Sequence, residues 1–455
     1  MRKLFLTLFL SFTLFGFSQN TLIPDPNFEQ ALIDLGLDTA PINGYVPTAD
    51  IVGVTSLDVA GYGITDLTGI EDFIALTNLS CYANQLVSLD VTTNTALNYL
   101  ACYENQLTSL DVSNNTALTL LWCSSNQLTS LDVSNNTALT YLVCYENQLT
   151  SLDVSNNIEL TQFYCQDNPL TSLDVSNNIA LTYLGCWNNQ LTSLDVSNNT
   201  ALESLSCSYN QLTSLDVSNN TALTYLNCRD NQLTSLDVSN NTALTYLNCA
   251  YNQLTSLEVS NNTALTDLWC FQNQLTSLEV SNNTALTLLS CGDNQLTSLD
   301  VSNNTALFNL GCHTNQLTSL DVRNGNNTNF TYFQAYSNPD LTCIFVDDAS
   351  YSTANWTDID ATSTFVNNET ECAALSVGDN TFELGVSVYP NPTDNYLFIE
   401  GNENPISISI YNLLGKKVIS AKNTNKVDVK ELSNGVYIIR ITDGVNQTNR
   451  KFIKN

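Results

Sequence analysis

The sequence "NQLTSLDVSNNTALTYLNC" occupies residues 210–228 and returns unchanged at residues 231–249, with only Arg229 and Asp230 between the two copies. Self-similarity at a short fixed period is typical of a solenoid, in which each repeat buries its apolar face against its neighbours. We therefore predict twelve full repeats from residue 76 to about residue 327, and a degraded thirteenth from residue 330. Twelve cysteines keep this period of 21 residues: Cys81, Cys102, Cys123, Cys144, Cys165, Cys186, Cys207, Cys228, Cys249, Cys270, Cys291 and Cys312.

Each repeat is itself double. Within residues 223–243, the half that begins "LTYLNCRDN" superimposes on the half that begins "LTSLDVSNN", so both read L-x-x-L-x-[C/V]-x-x-N. The L-x-[C/V] part alternates apolar and polar residues, which predicts a strand with one buried face. The asparagine then turns the corner, where its amide can satisfy backbone groups of the neighbouring coil.

This pattern resembles the leucine-rich repeat in a short nested form. The resemblance implies a mainly β fold, a right-handed solenoid of parallel strands stacked coil on coil. We expect about 12 to 13 coils of 21 residues over residues 76–342, with two strand faces per coil. A single coil cannot bury its leucines, so both ends of the stack need caps.

The front cap is predicted over residues 19–75. "PDPNFEQALIDLG" (residues 24–36) offers Asp25 as a helix N-cap, Pro26 at the first helical position and Gly36 as the stop. The stretch from residue 55 is a divergent first turn that resembles internalin-like repeat domains. The apolar face of the predicted helix carries Phe28, Ala31, Leu32 and Leu35.

A rear cap and linker is predicted over residues 343–375. Cys343 and Cys372 are the only cysteines outside the 21-residue ladder. We expect them to form a disulfide across this cap, which an oxidising compartment permits.

The first eighteen residues have the features of a secretory signal peptide. Arg2 and Lys3 precede an apolar run, and small residues follow at the spacing of a cleavage site after Ser18; an uncleaved anchor is the alternative. No later segment has eighteen consecutive apolar residues, so no transmembrane segment is expected.

The charge is unevenly distributed along the chain. Residues 20–375 carry 36 acidic side chains against Arg229 and Arg323, a net charge of −34. Such a surface repels phosphate backbones, so nucleic acid is excluded as a partner. The sequence predicts an acidic protein that is secreted or attached to the outer cell surface.

The composition changes after residue 375 to short β-branched, more basic stretches separated by turn residues. About seven strands in eighty residues predict a small β-sandwich. The elements "YPNPT", "YNLLGKKV", "LSNGVYIIRI" and "KFIKN" resemble the C-terminal sorting domain of type IX secretion substrates over residues 376–455. The resemblance implies that the type IX secretion machinery carries the protein across an outer membrane.

Two positions of the repeat, the cysteine and the acidic residue, form columns along the stack that we interpret as structural. The cysteine column should face a dry core in parallel, one thiol per coil, without the convergence that a metal site needs. The acidic column of the second half should repel itself and attract cations, calcium among them, but it lacks the convergent oxygens of a tight calcium site. We interpret it as a solvated face and expect no cofactor; its weak candidate calcium ligands are Asp111, Asp132, Asp153, Asp174, Asp195, Asp216 and Asp237.

The outward positions of the first half vary from coil to coil and are rich in aromatic residues. Tyrosine and tryptophan are frequent anchors of recognition, although a ladder of rings can also serve only to cover the strand backbone. We interpret these positions as a binding surface. The candidate ligand-binding residues are Tyr99, Trp122, Tyr141, Tyr145, Tyr164, Tyr183, Trp187, Tyr225, Tyr246, Trp269 and Phe271.

Catalysis is not expected, because His313 is the only histidine and the repeats carry no phosphate loop and no zinc-ligand spacing. The sequence favours a non-enzymatic protein that binds an extracellular protein or polysaccharide through the aromatic positions. The alternatives are a passive spacer or surface-layer component whose repeats set its length, and calcium-dependent binding through the acidic column.

Overall fold

The computed structural model describes residues 19–375, 386–400, 407–442 and 447–455. The proposed signal peptide, residues 1–18, lies outside the described residues, as does part of the predicted sorting domain. The chain divides into two compact units, residues 1–365 and 366–455. No helix in the described ranges is long and apolar enough to cross a membrane.

The first unit is a solenoid built on one long parallel sheet. Each three-residue strand pairs in register with the strand of the next coil, as Tyr225 does with Tyr246 and Leu226 with Leu247. The middle residue of every strand points into the core and the outer two face away. The fourteen strands are Ser56–Asp58, Asn78–Ser80, Tyr99–Ala101, Leu120–Trp122, Tyr141–Val143, Gln162–Tyr164, Tyr183–Gly185, Ser204–Ser206, Tyr225–Asn227, Tyr246–Asn248, Asp267–Trp269, Leu288–Ser290, Asn309–Gly311 and Tyr332–Gln334.

The prediction of a second strand in every coil is wrong for most coils. Local hydrogen bonds hold this segment: the Ser197 N–H bonds to the carboxylate of Asp195, and the Asn199 N–H bonds to the carbonyl of Val196. The same two bonds occur beside the strand Ser298–Asp300, so they do not prevent strand pairing. Only the rear coils form this second sheet, whose four strands are Ser298–Asp300, Ser319–Asp321, Cys343–Phe345 and Thr364–Val366.

Two columns of buried asparagine tie neighbouring coils together, as the sequence predicts. In the column that follows the cysteine, Asn231 donates from Nδ2 to the carbonyls of Cys207, Cys228 and Arg229 at 3.1, 3.1 and 3.3 Å. Its Oδ1 accepts from the Leu212 N–H at 2.9 Å. One side chain therefore satisfies four backbone groups, two of them in the preceding coil.

The residue before each of these asparagines has a left-handed backbone conformation. Thirteen non-glycine residues, from Ala83 to Ser337, have φ between 51° and 57°. That conformation costs about 1–2 kcal/mol for a residue with a Cβ. This position accepts residues as different as Glu104, Tyr209 and Asp230, so the asparagine bonds and the coil stack determine the turn, whatever the residue.

The core of the solenoid is a continuous stack of leucine, cysteine and valine. All twelve ladder cysteines are free and fully buried. Leu226, Cys228, Leu233 and Val238 each have no exposed surface. The prediction that cysteine serves as a small apolar core residue is consistent with this environment.

The front cap begins with a two-stranded antiparallel sheet, Asn20–Leu22 with Tyr45–Pro47. The helix Pro26–Asp34 follows, and the Asp25 carboxylate accepts from the backbone N–H groups of its first turn. Phe28, Ala31 and Leu32 are buried against the first coils, but Leu35 is 45% exposed because the helix ends before it. The helix Thr48–Ile51 and the 3₁₀ turn Ile70–Asp72 complete this cap.

The rear of the solenoid is closed by an aromatic cluster. Trp356 stacks on Phe333 with ring centroids 4.2 Å apart, and Phe330 and Phe365 pack around the pair. The 3₁₀ turn Asn327–Asn329 and the helix Ala349–Asn355 lie beside these rings. Cys343 and Cys372, the two cysteines outside the ladder, are disulfide-bonded.

The second unit begins within the strand Thr364–Val366 and includes the helix Glu369–Leu375. Its described residues form two antiparallel sheets that share one core, in which Leu397 and Val427 of one sheet cluster with Ile439 and Phe452 of the other. This is the sandwich that the sequence predicts. Its seven strands are Ser387–Tyr389, Tyr396–Glu400 and Lys426–Asp428 in one sheet, and Ser407–Asn412, Lys417–Lys422, Gly435–Thr442 and Gln447–Lys454 in the other.

Candidate functional site

The candidate aromatic residues lie on one face of the solenoid, at the outward positions of the long sheet and just beyond it. We call this surface the strand face: the first and last residue of each strand and the residue after each cysteine. All eleven candidates are half-buried. Tyr99, Tyr141, Tyr183, Tyr225 and Tyr246 open their strands, Trp122, Tyr164 and Trp269 close theirs, and Tyr145, Trp187 and Phe271 follow their cysteines.

Eight of the eleven candidate rings pack on another aromatic ring of the same or a neighbouring coil. Tyr164 and Tyr183 have ring centroids 4.4 Å apart, and Tyr225 and Tyr246 lie 4.5 Å apart and almost parallel. Tyr225 and Tyr246 pair in register, so the strand spacing of about 4.7–4.9 Å sets their distance. Tyr164 lies diagonally from Tyr183, whose in-register partner is Gln162. Stacked rings of this kind contribute about 0.5–1.5 kcal/mol each beyond their burial. Packing therefore accounts for part of the aromatic content of the strand face.

A second aromatic group surrounds the one cation of this region. The guanidinium of Arg229 lies 4.7 Å from the ring centroid of Tyr251 and 5.7 Å from that of Phe271. Tyr209, on the other side of it, has its centroid at 5.6 Å. The sequence analysis did not select Tyr209 or Tyr251, because they occupy the left-handed position, which shows no aromatic preference along the repeat.

The strand face is interrupted by an open slot of about 470 Å³. It lies over the coil that contains Cys207, whose three outward residues are all serine. This slot was not foreseen, because a gap in a row of side chains appears only once the neighbouring rings have been placed. Its lining residues are Tyr183, Trp187, Ser204, Ser206, Ser208, Tyr209, Tyr225 and Asn227.

The positions of the aromatic walls of the slot depend on a neighbouring glycine. A Cβ added at Gly185 would lie 2.8 Å from Cζ3 of Trp187 and 3.1 Å from Cε1 of Tyr183. Glycine at this position thus lets both rings lean over the strand. Burial raises the pKa values of Tyr183 and Tyr225 above the usual tyrosine value.

The acidic column has a structural task. Each carboxylate closes a turn at the edge of its coil, as Asp195 does by accepting the Ser197 N–H at 2.9 Å. The Ser197 hydroxyl, and then its N–H, hold the pKa of the Asp195 carboxyl below its usual value. Among the described residues, no group of three or more His, Cys, Asp or Glu side chains is placed to hold a metal ion. Calcium binding by the column stays a prediction.

The lowered carboxyl pKa values predict a loss of stability in acid. A group whose folded pKa lies below its unfolded value stabilises the protein above the unfolded pKa, here 3.8, and the benefit disappears as pH falls through the folded pKa. In a variant with Asp153, Asp174, Asp195 and Asp216 replaced by asparagine, the amide oxygens can still accept the serine N–H groups. We expect the Tm of this variant to fall less between pH 7 and pH 3 than that of the parent. Parallel decreases in scanning calorimetry would contradict this assignment.

The chain has well-defined similarities to known proteins. Residues 387–455 match the secretion system C-terminal sorting domain, and residues 97–122 and 175–211 match the LVIVD repeat. The solenoid is similar to the functional domain of InlJ from Listeria monocytogenes, which includes a cysteine ladder: identity is 31%, the match covers 96% of this chain and 99% of that one, and the TM-score is 0.66.

A second internalin, InlF from Listeria monocytogenes, shares 22% identity over 72% of this chain and 96% of its own, with a TM-score of 0.62. No curated protein matches the chain. The C-terminal match indicates type IX export, so the protein is secreted or held at the outer surface. From the stacked 21-residue coils, the ladder of buried thiols and the extent of the match to InlJ, we conclude that this chain belongs to the internalin-type leucine-rich repeat proteins.

Proposed function

We propose that the protein is a non-enzymatic recognition protein that binds an extracellular glycan or protein ligand through the strand face. The observation that carries this proposal is the slot, where aromatic rings and hydroxyl groups converge in a cavity open to solvent. Ligand sites are typically concave, aromatic and fitted with a few polar groups. The sorting domain supports it as well, because export brings the strand face into contact with molecules outside the cell.

The proposal also agrees with how the sequence varies along the chain. Core leucines, buried asparagines and turn aspartates repeat almost unchanged, because each fills a defined packing or hydrogen-bonding position. The residues of the strand face vary from coil to coil instead, and three of the four tryptophans are found among them. Tryptophan and tyrosine are enriched among the residues that dominate binding energy.

A passive spacer is the second candidate function. The half-buried state of all eleven aromatic candidates favours it, since rings that stack on one another need no ligand. In that case the number of repeats would set only the length of the protein. The two functions predict different responses to loss of the strand-face tryptophans.

We expect the triple variant Trp122→Ala, Trp187→Ala, Trp269→Ala to lose about tenfold or more in affinity, because removal of a buried aromatic anchor commonly costs 2 kcal/mol or more. The measurement is binding of the purified full chain to an array of polysaccharides and extracellular proteins. Circular dichroism at rising temperature shows whether the variant keeps its fold.

The matched control is Val87→Ala, Ile158→Ala, Ile179→Ala. These side chains are 59, 52 and 62% exposed and lie outside the strand face. The control should bind as the parent does. If the parent and the tryptophan variant bind equally well, the binding site does not include the tryptophans. If the parent binds nothing on the array, the spacer function is favoured.

A further inference from the structure

At the first strand position, Ser204 leaves a gap between two tyrosines that each stack on a further ring. Ser204 pairs in register with Tyr183 on one side and Tyr225 on the other. Each tyrosine has one ring face occupied, by Tyr164 at 4.4 Å and by Tyr246 at 4.5 Å. The backbones of Tyr183 and Tyr225 are two strand spacings apart, about 9.5 Å. The slot therefore has the width of one missing ring between two aromatic walls.

The floor of the slot is made of hydroxyl groups that lack protein partners. Ser206 and Ser208 line the slot and are only 6 and 4% exposed. Among the described residues, neither hydroxyl has a protein hydrogen-bond partner, and neither oxygen is sealed from solvent. Both hydroxyls therefore open into the slot, where a ligand or water can bond to them.

The charge of the site limits the ligand further. None of the eight lining residues is charged, and residues 20–375 carry a net charge of −34. A polyanionic chain would be repelled by this field. The slot thus suits an uncharged ligand with two apolar faces and a polar rim.

A pyranose ring has this distribution of groups, with C–H bonds on its faces and hydroxyls around its edge. We propose that the slot binds one sugar ring of a neutral glycan, sandwiched between Tyr183 and Tyr225, with its hydroxyls on the serine floor. This inference rests on the proposed function and specifies its ligand class. The flat ring of an aromatic peptide side chain would also fit between the walls, but its C–H edge would leave the serine hydroxyls unbonded, which is unfavourable in a buried site.

The test uses a variant that fills the gap with the residue type of its neighbours. Ser204→Tyr adds the missing ring, and tyrosine occurs at this strand position in both adjoining coils, so the fold should tolerate it. Leu288→Tyr is the matched control, because Leu288 occupies the same position four coils away. The full chain is titrated by calorimetry with neutral hexasaccharides of glucose, N-acetylglucosamine, mannose and xylose. A hexagalacturonate and a tyrosine-rich peptide serve as the charged and the aromatic probes.

We expect the parent to bind at least one neutral hexasaccharide with a change in tryptophan fluorescence. The S204Y variant should bind it about tenfold or more weakly, and the L288Y variant should bind it as the parent does. If S204Y binds the neutral saccharide as tightly as the parent does, the slot is not the sugar site, and the proposed function still stands. Binding of only the peptide, lost in S204Y, would show that the slot takes an aromatic side chain and overturn the sugar assignment. If no neutral saccharide binds at millimolar concentration, the sugar assignment is also overturned. The proposed function itself fails only if the parent binds nothing on the wider array of polysaccharides and extracellular proteins as well.

Discussion

Replacing Asn231 by alanine is expected to lower the free energy of unfolding by about 3–4 kcal/mol. The amide of Asn231 satisfies the carbonyls of Cys207, Cys228 and Arg229 and the N–H of Leu212. Alanine removes all four bonds and leaves buried backbone groups without partners. Each such group costs about 1–3 kcal/mol unless water reaches it, so the sum should approach the upper range of single substitutions.

The control lies nine residues further along the chain. Asn240 is exposed and makes one side-chain bond, from Nδ2 to the carbonyl of Ser218 at 3.1 Å. Asn240→Ala should therefore change the unfolding free energy by less than about 0.5 kcal/mol. Guanidinium unfolding followed by far-ultraviolet circular dichroism measures both variants. Equal losses in the two would mean that the coils are held together by leucine packing and that the asparagine bonds contribute little.

The same asparagine illustrates what the sequence can predict. The L-x-x-L-x-[C/V]-x-x-N period places leucine and cysteine inside and asparagine at the corner, and the structure confirms all three positions. The repeat period alone predicts these three positions, because every coil repeats the same contacts. The left-handed residue before the asparagine was not foreseen, since residues as different as Ala83, Glu104 and Tyr209 occupy this position.

The second segment of the coil shows where pattern reasoning failed. "SLDV" alternates as well as "YLNC" does, yet only the latter forms a strand in most coils. The aspartate turn does not explain the difference, because Asp300 accepts the Ser302 N–H in the same way beside a segment that is a strand. Alternation reports which side chains are buried, but it does not report whether the backbone of a segment pairs with the next coil.

The candidate site was predictable only in part. Tyrosine and tryptophan at outward positions indicate the strand face, and the structure places all eleven candidates there. The slot depends on residues with small side chains: Ser204 leaves the gap, and Gly185 lets Trp187 lean into the wall. Small residues are ordinarily passed over in a search for chemistry, and these two matter only because their neighbours are large.

The ladder of thiols predicts the largest effect of solution conditions, a cooperative unfolding in mild alkali. Burial raises the pKa of the Cys228 thiol from 9.0 to about 12, and the other ladder thiols are raised by the same cause. Below pH 9 both folded and unfolded chains keep these protons, so stability is constant. Above pH 9 only the unfolded chain loses them, and stability falls as pH rises. Each thiol contributes about 1.4 kcal/mol per pH unit.

Twelve such thiols together remove roughly 17 kcal/mol per pH unit, which is comparable to the lower end of the stability expected for a unit of this size at about 0.05–0.15 kcal/mol per residue. We expect the midpoint of alkaline unfolding at about pH 10–11, measured by circular dichroism at fixed temperature. Tyr103 adds to the effect with the same sign, because burial also raises its pKa to about 12.

A variant with Cys186, Cys207, Cys228 and Cys249 replaced by valine separates thiol ionisation from general alkaline damage. Valine already fills the equivalent core position of the second segments, at Val196 and Val217 among others, with no exposed surface. If ionisation drives the unfolding, the variant must first match the parent at pH 7 and then unfold at a higher pH, with a shallower dependence of stability on pH. An unchanged midpoint would mean that the thiols ionise only after the coils have separated for another reason. In that case the ladder would be a packing element without influence on alkaline stability.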